Sequence, residues 1–275
     1  MQIGKIGFIG AGNMASAIIG GLIASGCKPT DIWVSDVDER KLQDLQQRHG
    51  LHVANDNAQL LEKVDVLLLA VKPQIMKSVL KPLAPQVQQR KPLVISVAAG
   101  LPTADLSRWL GGEVALVRTM PNTPALVRSG ATALFANERV TAHQHEVAES
   151  IMRATGLALW VEQESQMDAV TALSGSGPAY FFLLIESMQK AGEQLGLEAE
   201  TARLLALQTA FGAAKLALEA DDGAAALRAK VTSPGGTTEQ AINVFMQRGM
   251  PEMVAAAMTA ADQRAQELAK QLGAD

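Results

Sequence analysis

Residues Lys5 to Ala17 read K-I-G-F-I-G-A-G-N-M-A-S-A. Ile6, Phe8 and Ile9 form a short apolar run suited to a buried strand. Gly10, Gly12 and Ala15 follow at G-x-G-x-x-A spacing and lead into a helical stretch, Met14–Ala24. Strand, glycine turn and helix in this order form the dinucleotide-binding fingerprint. Each residue type has a reason. Gly10 permits a tight turn, Gly12 lets the backbone approach a pyrophosphate, and small Ala15 lets the helix pack close to the strand. The anion then lies at a helix N-terminus, where free N–H groups and the helix dipole favour it. A lone motif of this kind also occurs as a glycine-rich turn in other α/β proteins; here the flanking segments agree with the ligand-binding reading.

The rest of the chain extends that reading. Strand-like runs recur at Ile3–Ile9, Ile32–Ser35, Val53–Ala54, Val66–Val71, Leu93–Val97, Val114–Arg118, Ala133–Phe135 and Ala158–Val161. Helical patterns such as Glu39–Arg48 and Thr141–Ala154 lie between them. Apolar strands without alternation are buried on both faces, which predicts a parallel, doubly wound sheet of Rossmann type with helices on either side. After Glu162 the strand signals stop. Helices are predicted over Gln166–Leu173, Pro178–Leu195, Ala199–Glu219, Gly223–Lys230, Thr237–Arg248 and Pro251–Leu272. This predicts two domains, 1–162 for the dinucleotide and an all-helical 163–275 for substrate binding and dimerisation. Within 199–219, Leu204, Leu205, Leu207, Phe211 and several alanines surround most of the helix. A helix apolar nearly all round needs burial on more than one side, which predicts a helix-exchanging or interlocked dimer.

Composition narrows the class. In 275 residues the net charge is −4, which gives no reason to expect nucleic acid or an anionic membrane as partner. Residues 1–163 hold 16 basic and 14 acidic side chains, net +2, and residues 164–275 hold 8 and 14, net −6. Cys27 is the only cysteine, so no intrachain disulfide forms and a reducing, cytoplasmic location is expected. The opening apolar stretch has one early basic residue and glycines already explained by the fingerprint, so it does not read as a signal peptide. The run Val64–Val71, interrupted by Asp65, is too short to span a bilayer. His49, His52, His143 and His145 have no partners at metal-ligand spacing, and no metal is expected.

Several segments can carry chemistry. Asp36 lies 26 residues past Gly10 at the end of the second strand. A carboxylate there accepts the adenosine ribose hydroxyls and favours NAD over NADP. Ser35 and Arg40 can instead hold a 2′-phosphate, and Asp36, Asp38 and Glu39 can also simply cap the next helix. Ala70, Val71, Lys72 and Pro73 end the fourth strand, at the sheet edge where ligands bind. There Lys72 is either a phosphate contact or a solvated lysine. Ser96-Val97-Ala98-Ala99-Gly100 ends the fifth strand in small residues that leave room for a flat ring, and Asn122, beyond the sixth, offers an amide to a ligand. Two clusters precede helices: Ser174-Gly175-Ser176-Gly177-Pro178-Ala179-Tyr180 and Thr232-Ser233-Pro234-Gly235-Gly236-Thr237-Thr238. Each can present N–H groups and hydroxyls to a carboxylate, or be only a turn.

Taken in order, the segments F-I-G-A-G-N-M-A, A-V-K-P, S-V-A-A-G, M-P-N-T-P, D-A-V-T-A-L-S-G-S-G-P-A-Y and V-T-S-P-G-G-T-T resemble the pyrroline-5-carboxylate reductases over essentially the whole chain. The last two are the most specific. The resemblance implies reduction of the ring imine of 1-pyrroline-5-carboxylate to L-proline by NAD(P)H, the last step of proline biosynthesis. It implies cofactor contacts at Gly10, Gly12, Asn13, Met14, Ser35, Asn57, Ala70, Lys72, Pro73, Ala98 and Ala99. It implies that Ser233, Gly235, Gly236, Thr237 and Thr238 hold the substrate carboxylate and ring nitrogen side, with Glu164 and Ser176 lining the same pocket. It also implies an interlocked dimer, with dimers often joining into rings. One position departs. The family generally prefers NADPH, and many members carry Ser or another small uncharged residue where this chain has Asp36, so a weakened NADPH preference is expected.

An iminium ion is already a good hydride acceptor, so stacking and anchoring are the protein's main tasks. Thr238 is the expected catalytic residue, hydrogen-bonding the ring nitrogen and relaying a proton. The rival readings are a 3-hydroxyacid dehydrogenase or general imine reductase, and a non-catalytic dinucleotide sensor. The first needs a base, and Lys190 and Lys215, the candidates on long helices, lie in no such motif.

Overall fold

The computed structural model describes residues 3–273. Eight strands form: β1 Ile6–Ile9, β2 Ile32–Ser35, β3 His52–Val53, β4 Val66–Leu69, β5 Leu93–Ser96, β6 Leu116–Met120, β7 Gly130–Ala136 and β8 Gly156–Trp160. The helices connecting them are α1 Asn13–Ala24, α2 Glu39–His49, α3 Asn57–Lys63, α4 Pro73–Leu80, α5 Ala84–Arg90, α6 Thr103–Trp109 and α7 Ala142–Arg153. The helical remainder is α8 Gln166–Val170, α9 Gly177–Gln194, α10 Ala199–Glu219, α11 Ala224–Lys230, α12 Thr237–Gln247 and α13 Met250–Gly273.

The strands make one sheet in the order β3-β2-β1-β4-β5-β6-β7-β8. Side chains alternate between two covered faces. Ile6, Phe8 and Leu68 enter one core with α1, α2 and α7, whereas Ile9, Leu67 and Leu69 enter the other with α3 to α6. Burial on both faces is why these strands read as continuous apolar runs. One expectation needs correction. The sheet is not wholly parallel, because β7 runs antiparallel to β6. Only residues 121–129 link the two strands, with Pro121, Pro124 and a 3-10 turn over Thr123–Val127. A parallel return needs a crossover of about a dozen residues or more, so this short link turns the chain straight back.

The chain divides into two compact units. The first runs to Ser176 and regains the residues from Ala261 onward; the second is Gly177–Ala260. The division lies later than the 162/163 boundary read from the end of the strand signals. In the first unit Met167 of α8 is buried, and Arg108 of α6 donates to the Gly273 carbonyl at 3.0 Å. In the second unit α9 packs on α10, burying Ala202 and Ala206, and the Glu198 carboxylate caps α10 by accepting the Thr201 N–H. Little else in this unit is buried. Phe181, Phe182, Leu205, Phe211 and Leu218 are all exposed.

Candidate active site

The order reverses at β1, which lies between β2 and β4, and this switch point is where doubly wound sheets bind ligands. Gly10 follows β1 at φ +104°, and a Cβ there would lie 2.6 Å from the Ala70 carbonyl oxygen. The Gly10 N–H donates to Ser35 O and the Ala70 N–H to Ile9 O, each at 2.8 Å, so the turn is pinned between β2 and β4. Gly12 differs: a Cβ on it would meet nothing within 4 Å. The space over Gly12 is open, and α1 starts there with no side chain capping it and no acidic residue in its first turn. That is a cradle for an anion.

A cleft of about 910 Å³ extends from this turn. It gathers Gly10, Gly12, Ser35, Asp36 and Asn57 on one side and Ala70, Val71 and Lys72 on the other. The Ser35 hydroxyl donates to Asn57 Oδ1 at 2.6 Å. Asp36 is engaged from within: Oδ2 accepts the Ala11 N–H at 2.6 Å and Oδ1 the Asp38 N–H at 2.9 Å. It therefore braces the glycine turn while its carboxylate faces the cleft. Capping of α2 falls to Asp38, which accepts the Arg40 N–H. Lys41 lines the cleft, paired with Asp38 at 3.6 Å. Lys72 is exposed, immediately before Pro73 at the start of α4. The residues present fit an extended dinucleotide: an open anion cradle, polar groups at the β2 end and a lysine opposite.

Other expected contacts lie outside this cleft. Asn13 and Met14 begin α1 and Pro73 begins α4; beyond β5, Ala98 is buried in the core and Ala99 is exposed. Asn122 does not offer its amide to a ligand. Its Nδ2 donates to Ser174 O at 3.0 Å and its Oδ1 accepts the Ala131 N–H at 2.9 Å, which ties the β6–β7 link at both ends. The first glycine-serine cluster also differs from expectation. Thr171–Gly175 forms a π-helical turn joining α8 to α9, and the Ser176 N–H donates to Thr171 O at 2.8 Å. α9 begins at Gly177 directly after this turn, and the Ser176 N–H is taken by the backbone.

The second cluster also leads into a helix, within the second unit. Gly235 turns the chain at φ +72°, its N–H donating to Glu239 Oε2 at 2.8 Å, and the Gly236 N–H donates to Ser233 O at 3.0 Å. Among the described residues no side chain caps α12 at Gly236, so Thr237 and Thr238 open an 11-residue helix with their hydroxyls beside its N-terminal N–H groups. Ser233, Gly235 and Thr237 are exposed, and Thr238 is half-buried.

Sequence reasoning gave no role to Arg118, which is 4% exposed on β6. Its Nη1 pairs with Glu164 Oε1 at 3.2 Å and its Nη2 lies 3.7 Å from Asp168 Oδ1. Glu164 further accepts the Thr103 N–H on Oε1 and the Thr103 hydroxyl on Oε2, both at 2.7 Å. Burial raises the Asp168 carboxyl above its ordinary value against the pull of Arg118, and Asp262 and Glu164 push it the same way. The available signal was an arginine inside an apolar strand, since a buried guanidinium requires carboxylate partners.

The doubly wound sheet and its glycine-turn cleft define a nicotinamide-dinucleotide oxidoreductase. Residues 5–100 match the model described as NADP oxidoreductase coenzyme F420-dependent, and residues 164–268 match pyrroline-5-carboxylate reductase dimerisation. A pyrroline-5-carboxylate reductase of Pseudomonas aeruginosa is 50% identical, over 99% of this chain and all of its own length. The structure of one from Coxiella burnetii superposes with a TM-score of 0.93 at 50% identity, covering 97% of this chain and 98% of that one. The Plasmodium falciparum enzyme, solved with NADP bound, gives 0.86 at 30% identity over 98% and 99%. The chain belongs to the pyrroline-5-carboxylate reductase family.

Proposed function

We propose that the protein reduces the ring imine of 1-pyrroline-5-carboxylate to L-proline, completing proline biosynthesis. The single observation that carries this beyond the family is the pair of built anion sites, one per unit: the open cradle at Gly12 and the uncapped, hydroxyl-flanked start of α12. The first suits the pyrophosphate of a dinucleotide and the second a substrate carboxylate.

When bound, the reduced nicotinamide supplies a hydride. The imine carbon takes it, the C=N electron pair passes to nitrogen, and the nitrogen takes one proton. The chain's own residues anchor and orient. Ser233 and Thr237 hold the carboxylate through their hydroxyls and the first N–H groups of α12, Gly235 and Gly236 shape the turn, and Ser176 lines the pocket. The Thr238 hydroxyl bonds the ring nitrogen and relays its proton. At the cofactor, Gly10, Gly12, Asn13 and Met14 take the pyrophosphate, and Ser35, Asp36 and Asn57 the adenosine ribose. Ala70, Val71, Lys72 and Pro73 would flank the second ribose, and the backbone at Ala98 with exposed Ala99 would face the nicotinamide. The Asp36 carboxylate repels a 2′-phosphate, so the preference for NADPH is weakened. The exposed apolar helices of the second unit are covered by another copy in an interlocked dimer, which can join others in a ring. By length and composition the run Gln166–Gln194 is apolar enough to cross a membrane. We assign its apolar side chains to the dimer, in solution in the cytoplasm.

The test follows NADH and NADPH oxidation with pyrroline-5-carboxylate and quantifies proline. Thr238→Ala lowers kcat about 100-fold or more with cofactor affinity kept, the range of a positioned proton-transfer group. Asp36→Ser shifts kcat/KM toward NADPH by about tenfold, one charge repulsion removed. Cofactor binding without proline formation would instead favour a dinucleotide sensor.

A further inference from the structure

Glu164 lies in the turn before α8 and Asp168 on α8, and Arg118 reaches both from β6. Asp262 adds a third carboxylate, close enough to raise the carboxyl of Asp168. Two acids around one buried cation hold their places only while the cation is there. Arginine suits the position because one planar fork offers Nη1 to Glu164 and Nη2 to Asp168, which a lysine ammonium cannot do. Asp168 Oδ1 accepts no hydrogen bond, so Glu164 is the firmer partner.

Glu164 uses that support on Thr103. Its two oxygens take the N–H and the hydroxyl of the first residue of α6, whose preceding residue, Pro102, provides no side-chain cap. The carboxylate is thus the cap of α6, delivered from 61 residues away. Residues 97–102 lie between β5 and this anchor. At their start the Thr119 hydroxyl donates to Ser96 O at 2.9 Å, and Thr119 is the residue next to Arg118. In their middle Gly100 turns at φ +72° over Leu268 and Leu272 of α13. The end is held by Glu164.

We propose that Arg118 is a positioning residue of the reductase: by holding Glu164 on Thr103 it fixes the 97–102 segment that presents Ala98 and Ala99. This rests on the reading of those alanines as facing the nicotinamide. Glu164 then acts through the backbone, and Arg118 touches neither substrate nor cofactor.

The experiment compares two probes, NADH and ADP-ribose, which lacks the nicotinamide ring; NADPH and 2′-phospho-ADP-ribose run in parallel. Their affinities are measured by fluorescence titration and competition on wild type, Arg118→Met, Arg118→Lys and Thr103→Val. Arg118→Met weakens NADH about tenfold, the scale of one lost charge-assisted bond, and leaves ADP-ribose within about threefold. Arg118→Lys restores part of the loss. Thr103→Val, which removes one hydroxyl bond and little volume, moves the same way by less, and it carries the test if Arg118→Met does not fold. A wild-type gap between the probes that neither variant narrows overturns the proposal. Parallel loss of both probes also overturns it, reducing Arg118 to a fold anchor. Equal wild-type affinities for the two probes would instead remove the reading of Ala98 and Ala99, and the proposal with it.

Discussion

The two units of this chain solve the burial problem differently. In the first, strands such as β1 and β4 are buried at every position, and two cores enclose the sheet between helices. In the second, two small side chains of α10, Ala202 and Ala206, are buried, while Phe181, Phe211 and Leu218 are 63%, 62% and 84% exposed. Burying one such side chain is worth about 1.5–3 kcal/mol, so leaving so many in water is untenable for a lone copy. The first unit carries its core within itself; the second leaves its apolar helices uncovered, and its match to a dimerisation family indicates self-association. Function divides along the same line, with the dinucleotide cradle on the self-sufficient unit and the proposed acid-binding turn on the dependent one.

That contrast can be broken most forcefully on α10. Phe211→Glu places a charge on the face that needs covering. It should abolish assembly and reduction together while leaving NADH affinity near wild type, read by light scattering, activity and fluorescence titration. Loss of cofactor affinity in parallel would mean that the units are not independent. The next largest effect separates the two glycines of the cradle. Gly12→Val, in open space, should leave the melting temperature within a few degrees but weaken NADH by about 100-fold, by blocking backbone approach to the phosphates. Gly10→Ala should cost about 1–3 kcal/mol of stability as well, because its Cβ meets the Ala70 carbonyl and its φ is left-handed. Similar thermal behaviour of the two variants would contradict the geometry of the turn.

The smallest expected effect is electrostatic and confined to the first unit. Asp168 holds its proton to higher pH in the folded state than in the unfolded chain. The native state therefore binds more protons between those two values, and the group's contribution to stability falls as pH rises through that window. Asp168→Asn should melt above wild type near pH 7.5. The gap should close as pH falls toward the ordinary aspartate value of about 3.9. A gap that widens on acidification would reverse the assignment.

What the sequence disclosed follows the range of the interactions. The cradle was legible because Gly10, Gly12 and α1 are consecutive, and strands such as β1, β4 and β5 because burial on both faces leaves unbroken apolar runs. The length of α10 and its all-round apolar character were equally local. The antiparallel β7 was not legible from strand-by-strand patterning; it depends on how short the 121–129 link is. The π turn at Thr171–Gly175 hid behind a glycine-serine composition that usually marks a break. Arg118 and Glu164 are 46 residues apart, Asp36 and Ala11 are 25 apart, and no periodicity couples such pairs. The residues were visible; which of them hold each other was not.

Sedimentation of the wild-type protein at submicromolar concentration, with turnover measured in the same samples, tests the central claim most directly. The account predicts that every species reducing pyrroline-5-carboxylate has at least twice the 29.0 kDa mass of one chain, and that dilution removes mass and activity together. A 29.0 kDa monomer with undiminished turnover would contradict it.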